Sequence, residues 1–258
     1  MKIFFSENKV DYQSYTFDYA IYCLKETQQE LPQIYEKGFL PFTGDLRLEG
    51  DVFYLARSLR VDTSKFEDTS ENRRVARLIE PLNISLRVIP KAVFDIESTE
   101  FIAFCQNYIS QRIGDENMSF DRLKFILGKE TTTHFFEFRN ENQLLGYVLA
   151  CMEGNMLHYW FAFFEVEYLR SHSLGKWMMW RVIKWGKENG IKNVYLGTAY
   201  KASALYKIRD HKGLEFYDGS GWSTDMKTLK NLCETDLEPK TIDAFKKKDD
   251  PNGFLKSL

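Results

Sequence analysis

Residues 133–198 constrain the fold more tightly than any other stretch. They open with three β-prone runs, "THFFEFRN", "LLGYVLACME" and "MLHYWFAFF", joined by the polar turns "ENQ" and "GN". Aromatic and branched runs separated by Asn and Gly read as three strands in meander order. The chain then turns through 168–173 into an amphipathic segment running from about Leu174 to Glu188. There Trp177, Met178, Trp180, Ile183 and Trp185 fall at near-helical spacing, and Asn189-Gly190 stop the helix. "KNVYLG" follows as a short buried strand, "ASALYKIRD" as a helix and "LEFYDG" as a last strand.

The remainder is less regular. "STEFIAFCQNYISQRIG" (98–114) and "SFDRLKFILG" (119–128) each open on Ser and close on Gly, as helices do. Upstream, "SYTFDYAIYC" reads as a strand and "TQQELPQIYEKGF" (27–39) as a short helix ended by Gly38. "VFYLARSLRV" (52–61) reads as a second strand, and "TSENRRVARLI" as a helix capped by Thr69 or Ser70. "ISLRVIP" (84–90) is a further strand and the expected domain edge. From about Asp225 the polar stretch containing "FKKKDDPNG" reads as a loose tail. The predicted division is an N-terminal α+β domain at 1–90, a larger domain at 91–225 and a tail at 226–258.

At 258 residues the chain is long enough for one large domain or two small ones, and at 44% hydrophobic it is globular in composition. A net charge of −2 does not announce a nucleic-acid binder, although a local basic patch remains compatible with it. Cys23, Cys105, Cys151 and Cys233 form no CxxC pair, and no metal-ligand spacing links His134, His158, His172 and His211. No metal is therefore expected. The apolar run at the start of "MKIFFSENKVD" is too short for a signal peptide, and nothing approaches the roughly 18 apolar residues of a membrane span. The expected protein is cytoplasmic, without a membrane partner.

A helix N-terminus carries unpaired N–H groups and partial positive charge, so it suits a phosphate. Arg170, Ser173, Leu174, Gly175 and Lys176 gather at the start of the 174–188 helix. The order of meander, turn, amphipathic helix, strand and "ASALYKIRDHKGLEFYDG" resembles the GNAT acyltransferase fold, a mixed β-sheet flanked by helices. That family's pyrophosphate loop reads Gln/Arg-x-x-Gly-x-Gly/Ala. Here Arg170, Ser173 and Gly175 take those positions, with serine for the first glycine. The family's later Ala-x-x-Leu-Tyr segment is matched by Ala202, Leu205 and Tyr206, with Gly213 and Phe216 beyond. The resemblance implies that Tyr206 protonates the leaving group.

The chain also resembles, more closely, the arginyl-tRNA–protein and leucyl-tRNA–protein transferases. Ser173-Leu174-Gly175, Tyr195-Leu196-Gly197 and Tyr206-Lys207 match that family's pattern directly. Thr198 and Ala204 stand where it has tyrosine and methionine. In the N-terminal half, Gly38, Phe39 and Gly44 match one motif, and Arg60, Phe66, Ser70, Asn72, Arg73 and Arg74 match another. The resemblance spans roughly residues 35–222. The family's N-terminal cysteine pairs are missing, since 40–57 holds no Cys and Cys23 stands alone. A cysteine-dependent activity or regulation would be lost with them.

Both resemblances imply aminolysis of an activated acyl group, with no permanently bound cofactor. The donor is aminoacyl-tRNA or acyl-coenzyme A, and in the tRNA case the acceptor is a protein or peptide N-terminus. A neutral amine is needed, so a base should take its proton. Glu165 and Glu167 share one face if the strand before them continues, and either is the expected base. Lys207 joins the donor-binding set, and Arg73 and Arg74 are the expected RNA contacts. Ordinary alternatives stand beside these: a packing aromatic for Tyr206, a solvated strand end for the glutamates, a solvated face for the cations. Three functions follow: an aminoacyl-tRNA–protein transferase, a coenzyme-A-dependent N-acyltransferase, or a non-catalytic binder of RNA or peptide.

Overall fold

The computed structural model describes residues 1–12, 16–141 and 143–236. A four-stranded antiparallel sheet is built from β1 (Lys2–Asp11), β2 (Thr16–Leu24), β3 (Phe39–Pro41) and β4 (Val52–Leu55), in the order β1-β2-β4-β3. Between β2 and β3 lies α1 (Leu31–Glu36), which ends two residues before Gly38. Gly38 has a φ of 82°, and an added Cβ there would meet the Tyr217 ring at 2.4 Å, so both backbone and packing require glycine.

Eight more strands form a second sheet. They are β5 (Ser58–Asp62), β6 (Ser85–Pro90), β7 (His134–Arg139), β8 (Leu144–Glu153), β9 (Met156–Phe164), β10 (Asn193–Thr198), β11 (Leu214–Tyr217) and β12 (Trp222–Ser223). Their order is β12-β11-β5-β10-β9-β8-β7-β6, and only β9 and β10 run parallel. The expected meander is β7-β8-β9. The helices are α2 (Ser70–Ile79), α3 (Thr99–Tyr108), α4 (Phe120–Gly128), α5 (Glu167–Ser171), α6 (Leu174–Glu188), α7 (Leu205–Arg209) and α8 (Met226–Thr235). Capping follows the sequence: the Thr69, Ser98 and Ser119 hydroxyls accept from the N–H groups of Asn72, Phe101 and Arg122.

The large sheet is covered on both faces, which is why β8 is apolar almost throughout. On one face α2 and α6 pack over Leu59, Val61, Val148, Leu157, Val194 and Leu196. On the other, α3 and α4 cover Tyr147, Leu149 and Phe163, and the small sheet and α1 cover Cys151, Met156 and Tyr195.

Three expectations change. The run 52–61 is two strands in two sheets, bent at Ala56-Arg57. Ser58 Oγ donates to the Gly38 carbonyl at 2.6 Å, and Arg57 is held by the Ala199 carbonyl and the Asp236 carboxylate. Strand β6, which ends at the expected boundary of residue 90, pairs along its length with β7, so sheet hydrogen bonds cross that point. The predicted tail begins with α8, capped by Asp225 and seated on the core by Leu229 and Cys233. The rest of that tail, 237–258, lies outside the described residues. Among the described residues no helix is long and apolar enough to cross a membrane.

Candidate active site

Strands β9 and β10 pair only at their starts, from Asn193↔Met156 to Tyr195↔His158. Beyond that point β10 shifts register after Tyr195 and pairs only with β5, while β9 continues on β8. The sheet therefore splays, and backbone groups that would have paired face open space.

Two cavities meet at the splay. The larger, about 460 Å³, is lined by Tyr108, Arg112, Phe164, Lys176, Tyr206 and Lys207 among others. The smaller, about 210 Å³, opens on the side of the small sheet and is lined by Leu40, Tyr54, His158, Trp160, Gly197 and Lys207. Lys207 belongs to both. Its ammonium donates to the carbonyls of Leu196 (2.9 Å) and Thr198 (3.1 Å), the groups that the splay leaves without a sheet partner on β9. Burial pushes Lys207 down to about 8.

The start of α6 forms one wall of the larger cavity. Ser173 sits at φ 56° and ψ 40°, the left-handed region that suits glycine, which accounts for the glycine in the family pattern at this place. Its side chain does not cap the helix. At Gly175 an added Cβ would lie 2.6 Å from the Phe164 ring. Lys176 turns toward Asp210 (3.0 Å) and Glu71 (3.4 Å), tying α6 to α2 and the end of α7. Arg170 lies on α5, and its side chain is outside the described residues.

Tyr206 projects into the larger cavity with no hydrogen-bond partner among the described residues. Burial, then the neighbouring Tyr108, raises its pKa, so the hydroxyl keeps its proton at neutral pH. The glutamates lie elsewhere. Strand β9 stops at Phe164, so Glu165 and Glu167 do not share a strand face: Glu165 is in the turn and Glu167 opens α5. Burial, then Glu167, raises Glu165. Neither lines either cavity. Nor do the expected RNA contacts, whose charge is engaged locally: Arg74 forks onto Glu71, and Arg73 donates to the Asp68 carbonyl.

Sequence reasoning missed four residues. Tyr108 and Arg112 reach the larger cavity from the end of α3, where five residues, Ile109–Ile113, form a π-helical turn. Tyr35 and His158 meet at 2.9 Å, hydroxyl to Nδ1, across 123 residues of sequence. No local pattern signals such a pairing. All four cysteines are buried; burial pushes Cys23 up to about 11 and Cys151 up to about 12, so neither supplies a thiolate at neutral pH. Among the described residues no cluster of His, Cys, Asp or Glu could hold a metal ion.

Residues 120–208 match the family described as acetyltransferase (GNAT) domain. The chain carries a GNAT fold. Its GNAT sheet extends past the matched segment, taking in β5 and β6 before it and β11 and β12 after it. The chain is homologous to the aspartate/glutamate leucyltransferase of Stenotrophomonas maltophilia (strain R551-3), with 24% identity over 203 residues, 71% of this chain and 78% of that protein. It is 28% identical over 144 residues to the protein of that name from Pseudomonas fluorescens (strain Pf0-1), covering 54% of this chain and 57% of that protein. Among solved structures, L-PGS from Bacillus licheniformis aligns at a TM-score of 0.45 and 12% identity, over 79% of this chain and 69% of that one.

Proposed function

We propose that the protein transfers an amino acid from aminoacyl-tRNA to the α-amine of a protein or peptide N-terminus. The observation that carries the reading is the pair of cavities meeting at Lys207, one beside the α6 N-terminus and one on the opposite side of the splay. Two substrates can approach one reacting carbon from those two sides. Homology to proteins named aspartate/glutamate leucyltransferase, over 71% of the chain, favours an aminoacyl donor.

The reaction needs little from the protein beyond placement and proton control. The acceptor nitrogen attacks the ester carbonyl carbon, a C–N bond forms and the ester C–O bond breaks. The departing ribose oxygen takes a proton from the Tyr206 hydroxyl inside the larger cavity, and the tyrosinate takes up in turn the proton that the attacking amine loses. Arg112 and the N–H groups at the start of α6 meet the phosphates of the donor end. The carbonyl oxygen becomes negative in the transition state, and the Lys207 ammonium, which lines both cavities, is the cation placed to stabilise it.

A second reading, coenzyme-A-dependent N-acylation, is favoured by the match to the acetyltransferase (GNAT) family. Against it stands the Cβ of Ser173, in a left-handed conformation where a backbone would approach pyrophosphate closely. The test is transfer of a radiolabelled amino acid from charged tRNA to a peptide with a free N-terminus, run beside labelled acetyl-coenzyme A. Transfer from tRNA, with tRNA binding that weakens from about 50 to about 200 mM salt, supports the first reading. Transfer from acetyl-coenzyme A alone refutes it.

A further inference from the structure

The smaller cavity is lined by two side chains, His158 and Lys207, with hydrogen-bonding capacity that nothing among the described residues uses. His158 is 2% exposed, and its Nε2 has no hydrogen-bond partner among the described residues. An unpartnered buried ring nitrogen is costly, so a polar group is needed there. The other ring nitrogen is fixed: Nδ1 lies 2.9 Å from the Tyr35 hydroxyl, which also faces the Cys151 thiol. In the tautomer in which the Tyr35 O–H is directed to sulfur, its oxygen accepts from Nδ1–H and Nε2 keeps its lone pair. Burial, then the charge of Lys207, holds His158 neutral, down to about 3. Across the same cavity Lys207 has three N–H donors and gives two to backbone carbonyls.

One acceptor nitrogen and one donor N–H, on two side chains that line one cavity, match the two polar groups of a chain's first residue. Resting on the acyl-transfer reading, we propose that His158 and Lys207 form a two-point site for the N-terminal residue of the acceptor. Nε2 of His158 accepts an N–H from its α-amine, and the third N–H of Lys207 donates to its carbonyl oxygen. The Lys207 charge disfavours a second cation beside it, so the amine binds as the free base, its nucleophilic form. The cavity joins the donor cleft at Lys207, Trp160 and Leu196, which turns the held nitrogen toward the acyl group. A lysine side-chain amine has no neighbouring carbonyl and would leave Lys207 unsatisfied. The site therefore selects α-amines over ε-amines.

The test is calorimetric titration of the full chain, without any donor, using three probes: Ala-Ala-Ala amide, its N-acetyl form and Nα-acetyl-lysine amide. The free peptide should bind about ten-fold more tightly than either other probe, the cost of one lost hydrogen bond. His158→Asn, which leaves nothing at the Nε2 position, should weaken the free peptide about ten-fold. His158→Gln, whose amide oxygen reaches that position, should restore most of the loss. Equal binding of the three probes, no peptide binding, or unchanged affinity in His158→Asn overturns the proposal. If His158→Asn does not fold by circular dichroism, the three-probe comparison on the natural chain decides. Transfer to a peptide that fails these criteria removes this site and leaves the acyl-transfer reading standing. Selective binding without transfer does the reverse.

Discussion

Two helical glycines should respond to the same substitution with opposite signs. Gly128 ends α4 and Gly175 is the second residue of α6, and neither has a positive φ. Replacing a helical glycine by alanine gains about 0.5–1 kcal/mol in the helix interior and less near the ends. At Gly128 an added Cβ meets nothing within 4 Å, so Gly128→Ala should gain about 0.5 kcal/mol. At Gly175 the same atom would lie 2.6 Å and 2.9 Å from two carbons of the Phe164 ring. That ring cannot easily retreat, since it is buried against Tyr108 at a centroid distance of 4.8 Å. Overpacking of this kind costs about 1–3 kcal/mol, which outweighs the helix gain and leaves Gly175→Ala about 1–2 kcal/mol less stable. At about 2–4 °C per kcal/mol for a chain of this size, Tm should rise by about 1–2 °C for Gly128→Ala and fall by about 2–8 °C for Gly175→Ala. Differential scanning calorimetry reads both. Because Phe164 and Gly175 also line the larger cavity, donor binding should weaken in Gly175→Ala alone. A Gly175→Ala protein at least as stable as the natural chain would refute the reasoning, because Phe164 would then not wall off that position.

Tyr206→Phe should lower kcat by about 100-fold with KM little changed, the effect of removing a general acid. Its Tm should stay within about 2 °C, because the hydroxyl has no partner to lose; a normal kcat would remove Tyr206 from the chemistry. Stability should also fall as pH drops from about 6.5 toward 4. Burial holds His158 down to about 3 and His211 down to about 4, so the unfolded chain binds more protons across that window. A His211→Gln variant should show a shallower loss in urea titrations over that range, and identical slopes would refute the assignment. Arg60 of β5 ties α1 to the large sheet, bonding Glu215 of β11 (2.9 Å) and Glu36 of α1 (2.6 Å) while stacking on Trp222 at 4.0 Å. Arg60→Met should cost about 2–3 kcal/mol, less than a fully orphaned buried charge because Lys65 still reaches Glu215. A denaturant midpoint unchanged from the natural chain would show the bridge to be worth nothing.

What the sequence determined by itself was local. Helix α6 runs from Leu174 to Glu188 as its spacing requires, because a 3.6-residue period and an Asn-Gly stop are written in consecutive residues. The meander β7-β8-β9 follows from runs joined by short turns, where each strand's partner is its neighbour in sequence. The serine and threonine caps were legible for the same reason. Of the candidate site, Tyr206, Lys207, Ser173 and Gly175 were readable as motif positions. Glu165 and Glu167 do not share the strand face expected of them, because the end of β9 depends on what it packs against, and no residue before them marks it. Tertiary structure alone decided the rest. Residues 52–61 are β-prone throughout, yet they divide between two sheets, because β5 finds its partners in β10 and β11, well over a hundred residues away. Likewise Tyr35 and His158 share a hydrogen bond only because α1 packs beneath the splay. Periodicity describes how a segment presents its faces to whatever covers it. Which segment does the covering is a matter of long-range burial, and that is where the second cavity and the Tyr35–His158 pair on its wall arise.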